Sequence, residues 1–253
     1  MIINILTLFP EMFSSVFSHS IIRRALDSNK ITLNIHNLRD WAKDKHKTVD
    51  DSPYGGGAGM VMKVDIIDRA LKELKLKVKK NIKLKIILLT PQGKTYNQKI
   101  AKNLSSCHEL LLICGHYEGF DERVRKLVDD QISVGDYVLT GGEIPAMVLI
   151  DSITRLLPDV LGKNESSQEE SFSMNKLISK KLSKKLKLKI CIDDRRVENC
   201  LEYPQYTRPE KYSPISKIFN KPLTVPKILL SGNHNKINNW RINQSILRSK
   251  RIK

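Results

Sequence analysis

The sequence predicts an α/β protein, a parallel sheet covered by helices on both faces, followed by a small basic C-terminal region. Three observations predict it. From Met1 to Gly162, short apolar runs alternate with segments of helical periodicity, the pattern of parallel strands joined by crossover helices. A chain of 253 residues with 40% hydrophobic content is long and apolar enough to bury a substantial core. Beyond Gly162 the apolar pattern fades into polar and lysine-rich sequence.

Taken in order, Ile2–Leu8 reads as a buried strand, and Pro10 then opens a helix with Met12, Phe13, Val16 and Phe17 at helical spacing. Ile31–Ile35 alternates as a second strand. Val64–Val78 is a helix carrying Ile66, Ile67, Ala70, Leu71 and Leu74 on one face. Leu84–Leu89 is a third strand and Leu110–Cys114 a fourth, with a helix through Ile100 and Leu104 between them. A further apolar stretch ends at Val138. The run EIPAMVLIDSITRLL then reads as a helix with Pro145 in its first turn and Pro158 closing it. Ligands of parallel sheets bind beyond the carboxyl ends of the strands, so the loops after Leu89, Cys114 and Val138 are where a site is expected. The domain reading is 1–162 for the sheet domain, 163–200 for a mobile linker with a lysine-rich insertion, and 201–253 for a small basic C-terminal domain.

The net charge is +17, and its placement matters more than its size. Met174–Ile190 holds seven lysines and no acid, and Lys211–Lys253 holds ten lysines or arginines and no acid. These two stretches account for the whole excess, an electrostatic footprint for a polyphosphate partner; a merely solvated lysine face is the competing reading. The four cysteines, Cys107, Cys114, Cys191 and Cys200, form no C-x-x-C pair and have no histidines at zinc spacing, so neither a disulfide framework nor a structural zinc site is expected. No run of about 18 apolar residues and no signal-peptide pattern is present. The expected location is the cytoplasm, without a membrane partner.

Three glycine-bearing clusters could carry chemistry. DDSPYGGGAGM, Asp50–Met60, lacks the Gly-Lys-Ser/Thr of a phosphate loop and does not follow a strand, so taken alone it is equally a flexible turn. ICGHYEGFDERV leaves the fourth strand. SVGDYVLTGGEIPAM brings Gly141-Gly142 directly before a helix. Glycines at such places let a ligand approach the backbone, and free amides can bond the edges of a small molecule.

Together with LFPEMF, LTPQGK, IDSITRLLPDVLG, LEYPQYTRPE and VPKILLSGNHNKINNWR, these segments occur in an order that resembles the bacterial tRNA (guanine-N1)-methyltransferases of the SPOUT superfamily. The likeness spans nearly the whole chain except Met174–Cys200 and the extreme end. A Rossmann-type methyltransferase is the alternative for the same cofactor, but its acidic-Gly-x-Gly loop after the first strand is absent. The resemblance implies a deep trefoil knot in the sheet domain, a mostly helical C-terminal domain, an antiparallel homodimer, and methyl transfer from S-adenosylmethionine to N1 of the guanosine at position 37, just 3′ of the anticodon. It implies a cofactor pocket made of Leu88, Leu89, Thr90, Pro91, Gly115, Glu118, Ser133, Val134, Gly135, Asp136, Tyr137, Val138, Leu139, Gly141 and Gly142. It also implies dependence on magnesium, although the sequence displays no dedicated metal cage and no residue is assigned to one.

Methylating N1 of guanine requires its proton to leave while negative charge gathers on O6, so a carboxylate and a fixed cation are needed. On the matching positions the cation is Arg155 and the base is Glu170, where the family has an aspartate. The extra methylene of glutamate shifts the carboxylate by about 1.5 Å, and a misplacement of about 1 Å can cost about 100-fold in rate. A tRNA-binding homologue with weakened or lost catalysis is therefore the alternative reading, and an unusual linker path could bring Asp193 or Asp194 to the site instead. Lys236, Arg241 and Arg248 are the expected tRNA contacts of the basic C-terminal region.

Overall fold

The computed structural model describes residues 1–79, 81–161, 171–172, 174–177, 196–214 and 222–250. The chain divides into two units, Met1–Gly162 and Lys163–Lys253.

The first unit is built on five parallel strands: β1 (Ile2–Thr7), β2 (Thr32–Asn37), β5 (Leu84–Thr95), β6 (Glu109–Cys114) and β7 (Asp130–Ser133), in the order β2-β1-β6-β5-β7. A two-residue antiparallel pair, β3 (Asp50–Asp51) with β4 (Val61–Met62), lies outside this sheet. Strand residues alternate between faces, and two apolar clusters result. Ile3, Ile5, Ile87, Leu89, Leu110, Leu112 and Cys114 pack against α1 (Met12–Phe17), α2 (Ser20–Asp27), α4 (Gln98–Ser105) and α5 (Glu143–Thr154). Leu6, Ile86, Leu88, Leu111 and Ile113 pack against α3 (Val64–Lys77) and a short 3-10 turn at Glu122–Leu127.

Each helix follows from its sequence. In α3, Ile66, Ile67, Ala70, Leu71 and Leu74 are buried at helical spacing, with Asp65 in the first turn and Lys75 and Lys77 in the last, so both ends complement the helix dipole. Each such buried side chain contributes about 1.5–3 kcal/mol by leaving water. The helix expected after Pro10 is two helices, because Ser20 takes a left-handed backbone conformation with φ 57° at the start of α2. In α1, Phe13 and Phe17 are buried while Met12 and Val16 face outward.

β5 carries the irregularity that matters most. Leu89 and Lys94 both pair with Ile132 of β7, so residues 90–93 leave the ladder as an arch and return to the same register. At Gly93 the arch runs so close to β7 that a Cβ would fall 2.5 Å from the Ile132 backbone nitrogen, which is why glycine is required there. At the opposite, amino end of the sheet a polar row crosses three strands. Asn4 Nδ2 donates to Glu109 Oε1 at 2.8 Å, while Asn34 Nδ2 and His36 Nε2 meet Asn4 Oδ1 at 3.1 and 3.2 Å.

The second unit is described by itself. Met174–Leu177 and Arg196–Cys200 form an antiparallel pair, so the two ends of the lysine-rich insertion are joined as strands. The helix His234–Lys250 packs along the segment that follows. Ile246 is buried, the Leu201 amide donates to Ser249 Oγ at 2.8 Å, and the Arg241 guanidinium stacks over the Tyr203 ring at 4.8 Å.

Candidate active site

The carboxyl ends of β5, β6 and β7 open into one cleft. Leu89, Thr90 and Pro91 come from β5 and its arch. Gly115–Phe120 leave β6. Ile132, Ser133, Val134 and Tyr137–Gly142 leave β7, and Pro145 comes from the first turn of α5. Adjacent parallel strands thus deliver three loops to one place.

Backbone packing sets the floor. The Gly142 amide donates to the Gly115 carbonyl at 2.9 Å, and a Cβ on Gly142 would lie 2.6 Å from Cys114 Cα and 2.7 Å from the Gly115 nitrogen. No side chain can be accommodated without separating α5 from β6. At Gly141 the obstacle is softer, the Glu143 Oε2 tip at 2.3 Å. The β7 loop is folded on itself: Ser133 Oγ donates to the Gly135 carbonyl at 2.9 Å and accepts from the Gly135 amide at 3.2 Å, and the Tyr137 hydroxyl donates to the Val134 carbonyl at 3.3 Å.

The glycine-rich segment Asp50–Met60 is held against the β6 loop. Met60 accepts from the Glu118 amide at 3.0 Å, and Met62 donates to Gly119 and accepts from Asp121 at 2.9 and 3.0 Å. Gly59, with φ +83°, faces Glu118 so closely that a Cβ would meet its Cγ at 2.4 Å. Behind the cleft, Glu143 is 2% exposed and accepts from Thr7 Oγ1 at 2.7 Å; the same threonine oxygen accepts from the Phe9 amide at 3.0 Å. Phe9 meets the His116 ring edge-on at 4.7 Å. Burial, reinforced by the Glu143 charge, pushes the Cys114 thiol well above its ordinary value, so it is a neutral, inert group.

Of the fifteen expected pocket residues, Leu89, Thr90, Pro91, Gly115, Glu118, Ser133, Val134, Tyr137, Val138, Leu139, Gly141 and Gly142 line this cleft. Leu88 does not: period-two alternation turns its side chain into the α3 cluster. Gly135 and Asp136 are also outside the lining, at the turn that Ser133 organises. The strand expected to end at Val138 ends at Ser133; that turn diverts the chain, and Val138 is 85% exposed. The sequence reading missed His116, Tyr117, Gly119, Phe120, Ile132, Thr140 and Pro145 in the lining, and Thr7 and Glu143 behind it. A lone threonine closing a buried strand and a glutamate directly after Gly-Gly were the available signals.

Arg155 caps the C-terminal end of α5, so it lies about 18 Å along the helix from Glu143 at 1.5 Å per residue. Glu170, Asp193 and Asp194 lie outside the described residues. Lys236 and Arg248 are exposed, with Arg248 Nη1 donating to the Glu202 carbonyl at 3.4 Å. Arg241 differs. It is half-buried on Tyr203, and among the described residues its Nε has no hydrogen-bond partner. Among the described residues no group of three His, Cys, Asp or Glu is placed to hold a metal ion, and no helix is long and apolar enough to cross a membrane.

A family model described as tRNA (Guanine-1)-methyltransferase TrmD matches residues 1–253. The chain belongs to this family. Two curated relatives, both named tRNA (guanine-N(1)-)-methyltransferase, bear on this. The one from Syntrophomonas wolfei is 47% identical over 247 residues, covering 98% of this chain and 86% of the relative. The one from Clostridium novyi is 49% identical over 244 residues, covering 96% and 86%. In the tRNA (guanine-1)-methyltransferase family, then, the three-loop cleft is the structural feature to be matched with methyl-transfer chemistry.

Proposed function

We propose that the protein transfers a methyl group from S-adenosylmethionine to N1 of guanosine 37 of tRNA, and that the cofactor binds in the cleft at the ends of β5, β6 and β7. The observation that carries this reading is the convergence of three strand-end loops on one cleft, with Gly142 packed so tightly on the Cys114 and Gly115 backbone that a Cβ there would clash. Loop amides and carbonyls there suit the edges of an adenine and a ribose. The cleft encloses about 190 Å³, below the roughly 300–1,000 Å³ of common small-molecule sites. Its outer wall is the exposed Tyr137–Leu139 stretch, which must shift outward to admit a ligand of nucleoside size.

S-adenosylmethionine supplies an electrophilic methyl group when bound. The protein's part is to make N1 of guanine a nucleophile: Glu170 accepts the N1 proton while the Arg155 guanidinium meets the charge developing on O6. Arg155 and the cleft are at opposite ends of α5, so one protomer does not assemble both halves of the reaction. A homodimer does, with Arg155 of one protomer serving the cleft of its partner. Two apolar pairs support such a face: Met12 and Val16 on α1, and Ile144 and Val148 on the neighbouring α5, each one helical turn apart and each exposed. The arch at 90–93 and the loop at 134–142 are read as parts of a trefoil knot, which the close passage of Gly93 over Ile132 supports. The basic residues 201–253 are read as a small tRNA-binding domain that contributes Lys236 and Arg248. Among the described residues no group of three His, Cys, Asp or Glu is placed to hold a magnesium ion, and no step is assigned to it.

The test is label transfer from S-adenosylmethionine to an unmodified tRNA transcript bearing guanosine at positions 36 and 37. The expected product is N1-methylguanosine at 37; tRNA binding without transfer overturns the reading in favour of a non-catalytic homologue. Glu170→Gln should nearly abolish transfer while sparing tRNA affinity, and Glu170→Asp should match or exceed the parent.

A further inference from the structure

Behind the cleft stands a buried carboxylate that the proposed chemistry does not use. Glu143 opens α5 and is 2% exposed. Its Oε1 accepts from Thr7 Oγ1 at 2.7 Å, and that hydroxyl in turn accepts from the Phe9 amide at 3.0 Å. Its Oε2 is packed against Gly141, where a Cβ would lie 2.3 Å from it, 3.1 Å from His116 Nε2 and 3.3 Å from the Gly115 carbonyl oxygen. Gly141, His116 and Gly115 all line the cleft, so the carboxylate is separated from the ligand space by little more than one thickness of backbone.

This charge lacks a cation. Among the described residues none forms an ion pair with Glu143; the Thr7 hydroxyl and the amino end of the α5 dipole hold it instead. A glutamine would fill the same space and accept the same hydrogen bond, so neither packing nor the tie to Thr7 calls for a charge whose burial is costly. Its field reaches the next strand, where it adds to burial in pushing the Cys114 thiol up. The cleft offers no answering cation either. The chain has 44 lysines and arginines, yet none lines the cleft, whose titratable members are His116, Tyr117, Glu118 and Tyr137.

We propose that Glu143 gives the cleft its charge specificity, favouring the sulfonium cation of the methyl donor over the neutral thioether that transfer leaves behind. The proposal rests on the S-adenosylmethionine reading given above and adds to it a residue that sets ligand preference. In transfer the S–CH3 bond breaks with its electron pair remaining on sulfur, N1 of guanine bonds the methyl carbon, and the N1 proton passes to Glu170. The cofactor thereby loses one positive charge and the attraction of Glu143 with it, so the residue that favours donor binding also favours product release. At an effective dielectric of about 20, opposite unit charges about 10 Å apart attract strongly enough to change affinity roughly tenfold.

The experiment uses the full-length protein and calorimetry with three ligands: S-adenosylmethionine, S-adenosylhomocysteine, and sinefungin, in which a carbon bearing an ammonium group replaces the methylated sulfur. Glu143→Gln should weaken both cationic ligands about tenfold and leave S-adenosylhomocysteine within about twofold of the parent. Glu143→Asp keeps the charge and shortens the arm to Thr7, so it should change all three affinities by the same factor. Circular dichroism verifies the fold of each variant. If Glu143→Gln does not fold, the parent decides alone: it should bind sinefungin more tightly than S-adenosylhomocysteine, and the preference should persist at high salt because a buried charge is screened little. Equal losses of all three ligands in Glu143→Gln, parent-like affinity for all three, or a parent that binds S-adenosylhomocysteine as tightly as both cations each overturns the proposal and leaves Glu143 a structural tie. A parent that binds none of the three sinks the functional reading and this proposal with it.

Discussion

The two units of this chain divide their labour by composition. Met1–Gly162 has apolar side chains packed on both faces of its sheet, whereas among the described residues of Lys163–Lys253 the buried apolar side chains are Cys200, Tyr203 and Ile246. The acid-free basic stretches Met174–Ile190 and Lys211–Lys253 both belong to the second unit. The difference teaches where each kind of recognition can reside. A cofactor cleft needs loops held to fractions of an ångström by a dense core, while a polyanion is gripped by charges whose exact placement matters little.

The largest expected effect breaks the comparison if it fails. Gly142→Ala puts a Cβ into the backbone of β6 and should weaken S-adenosylmethionine binding about 100-fold or more, given that misplacement of about 1 Å costs that much. Calorimetry measures it, circular dichroism verifies the fold, and tRNA affinity should change far less. Parent-like cofactor affinity would mean the cleft is not set by the packing of α5 on β6. Next in size, Thr7→Val leaves the 2%-exposed Glu143 without its donor and should cost about 1–3 kcal/mol in urea unfolding. The two tryptophans serve as separate reporters, Trp41 in the first unit and Trp240 in the second. The shift should register at Trp41 and leave the Trp240 transition in place.

How much of this was legible in the sequence depends on the range of the interaction. The helix Val64–Lys77 and the strands at Leu84 and Glu109 follow from local periodicity, and the loops after Leu89 and Cys114 were located by the rule for parallel sheets. That Leu88 turns away from the cleft was also local information, since Leu89 and Leu88 cannot face the same side. Val138 misled because Tyr-Val-Leu is strand-like by composition, while the turn that ends β7 is made by one serine hydroxyl on Gly135. The Thr7–Glu143 bond joins residues 136 apart, and no local pattern announces such a pairing.

A smaller effect sharpens the charge half of the comparison. Changing Lys236 and Arg248 to glutamine should weaken tRNA binding and flatten its salt dependence, by at most about 0.9 log units per log unit of salt for each phosphate no longer neutralised. Cofactor affinity should not change. Arg241→Gln should behave otherwise, because Arg241 is stacked on Tyr203: it should lower the Trp240 transition and leave the salt slope nearly as in the parent. An Arg241 variant that flattens the slope as much as the Lys236 and Arg248 pair would return it to the tRNA surface.

The smallest effect concerns pH. Burial first, and then the Lys77 charge, holds the His36 imidazole below its ordinary value. The folded protein therefore favours neutral His36. Its contribution is fully present above the ordinary imidazole value of about 6.5 and is lost as pH falls through the lowered folded value. His36→Asn should flatten the stability of the first unit between the ordinary value and the lowered folded one and change little at pH 8, measured as the Trp41 urea midpoint against pH.

The sheet order has a consequence for synthesis of the chain. β1 is made well before its neighbour β6, which begins at Glu109, opposite Ile2. At about 5–20 residues per second, that partner emerges some 5–20 s later. Until then the edge of β1 at Ile2–Thr7 that β6 will cover has no partner strand. An interior strand of the finished sheet, β1 therefore spends that interval with one long edge waiting for the strand that will cover it.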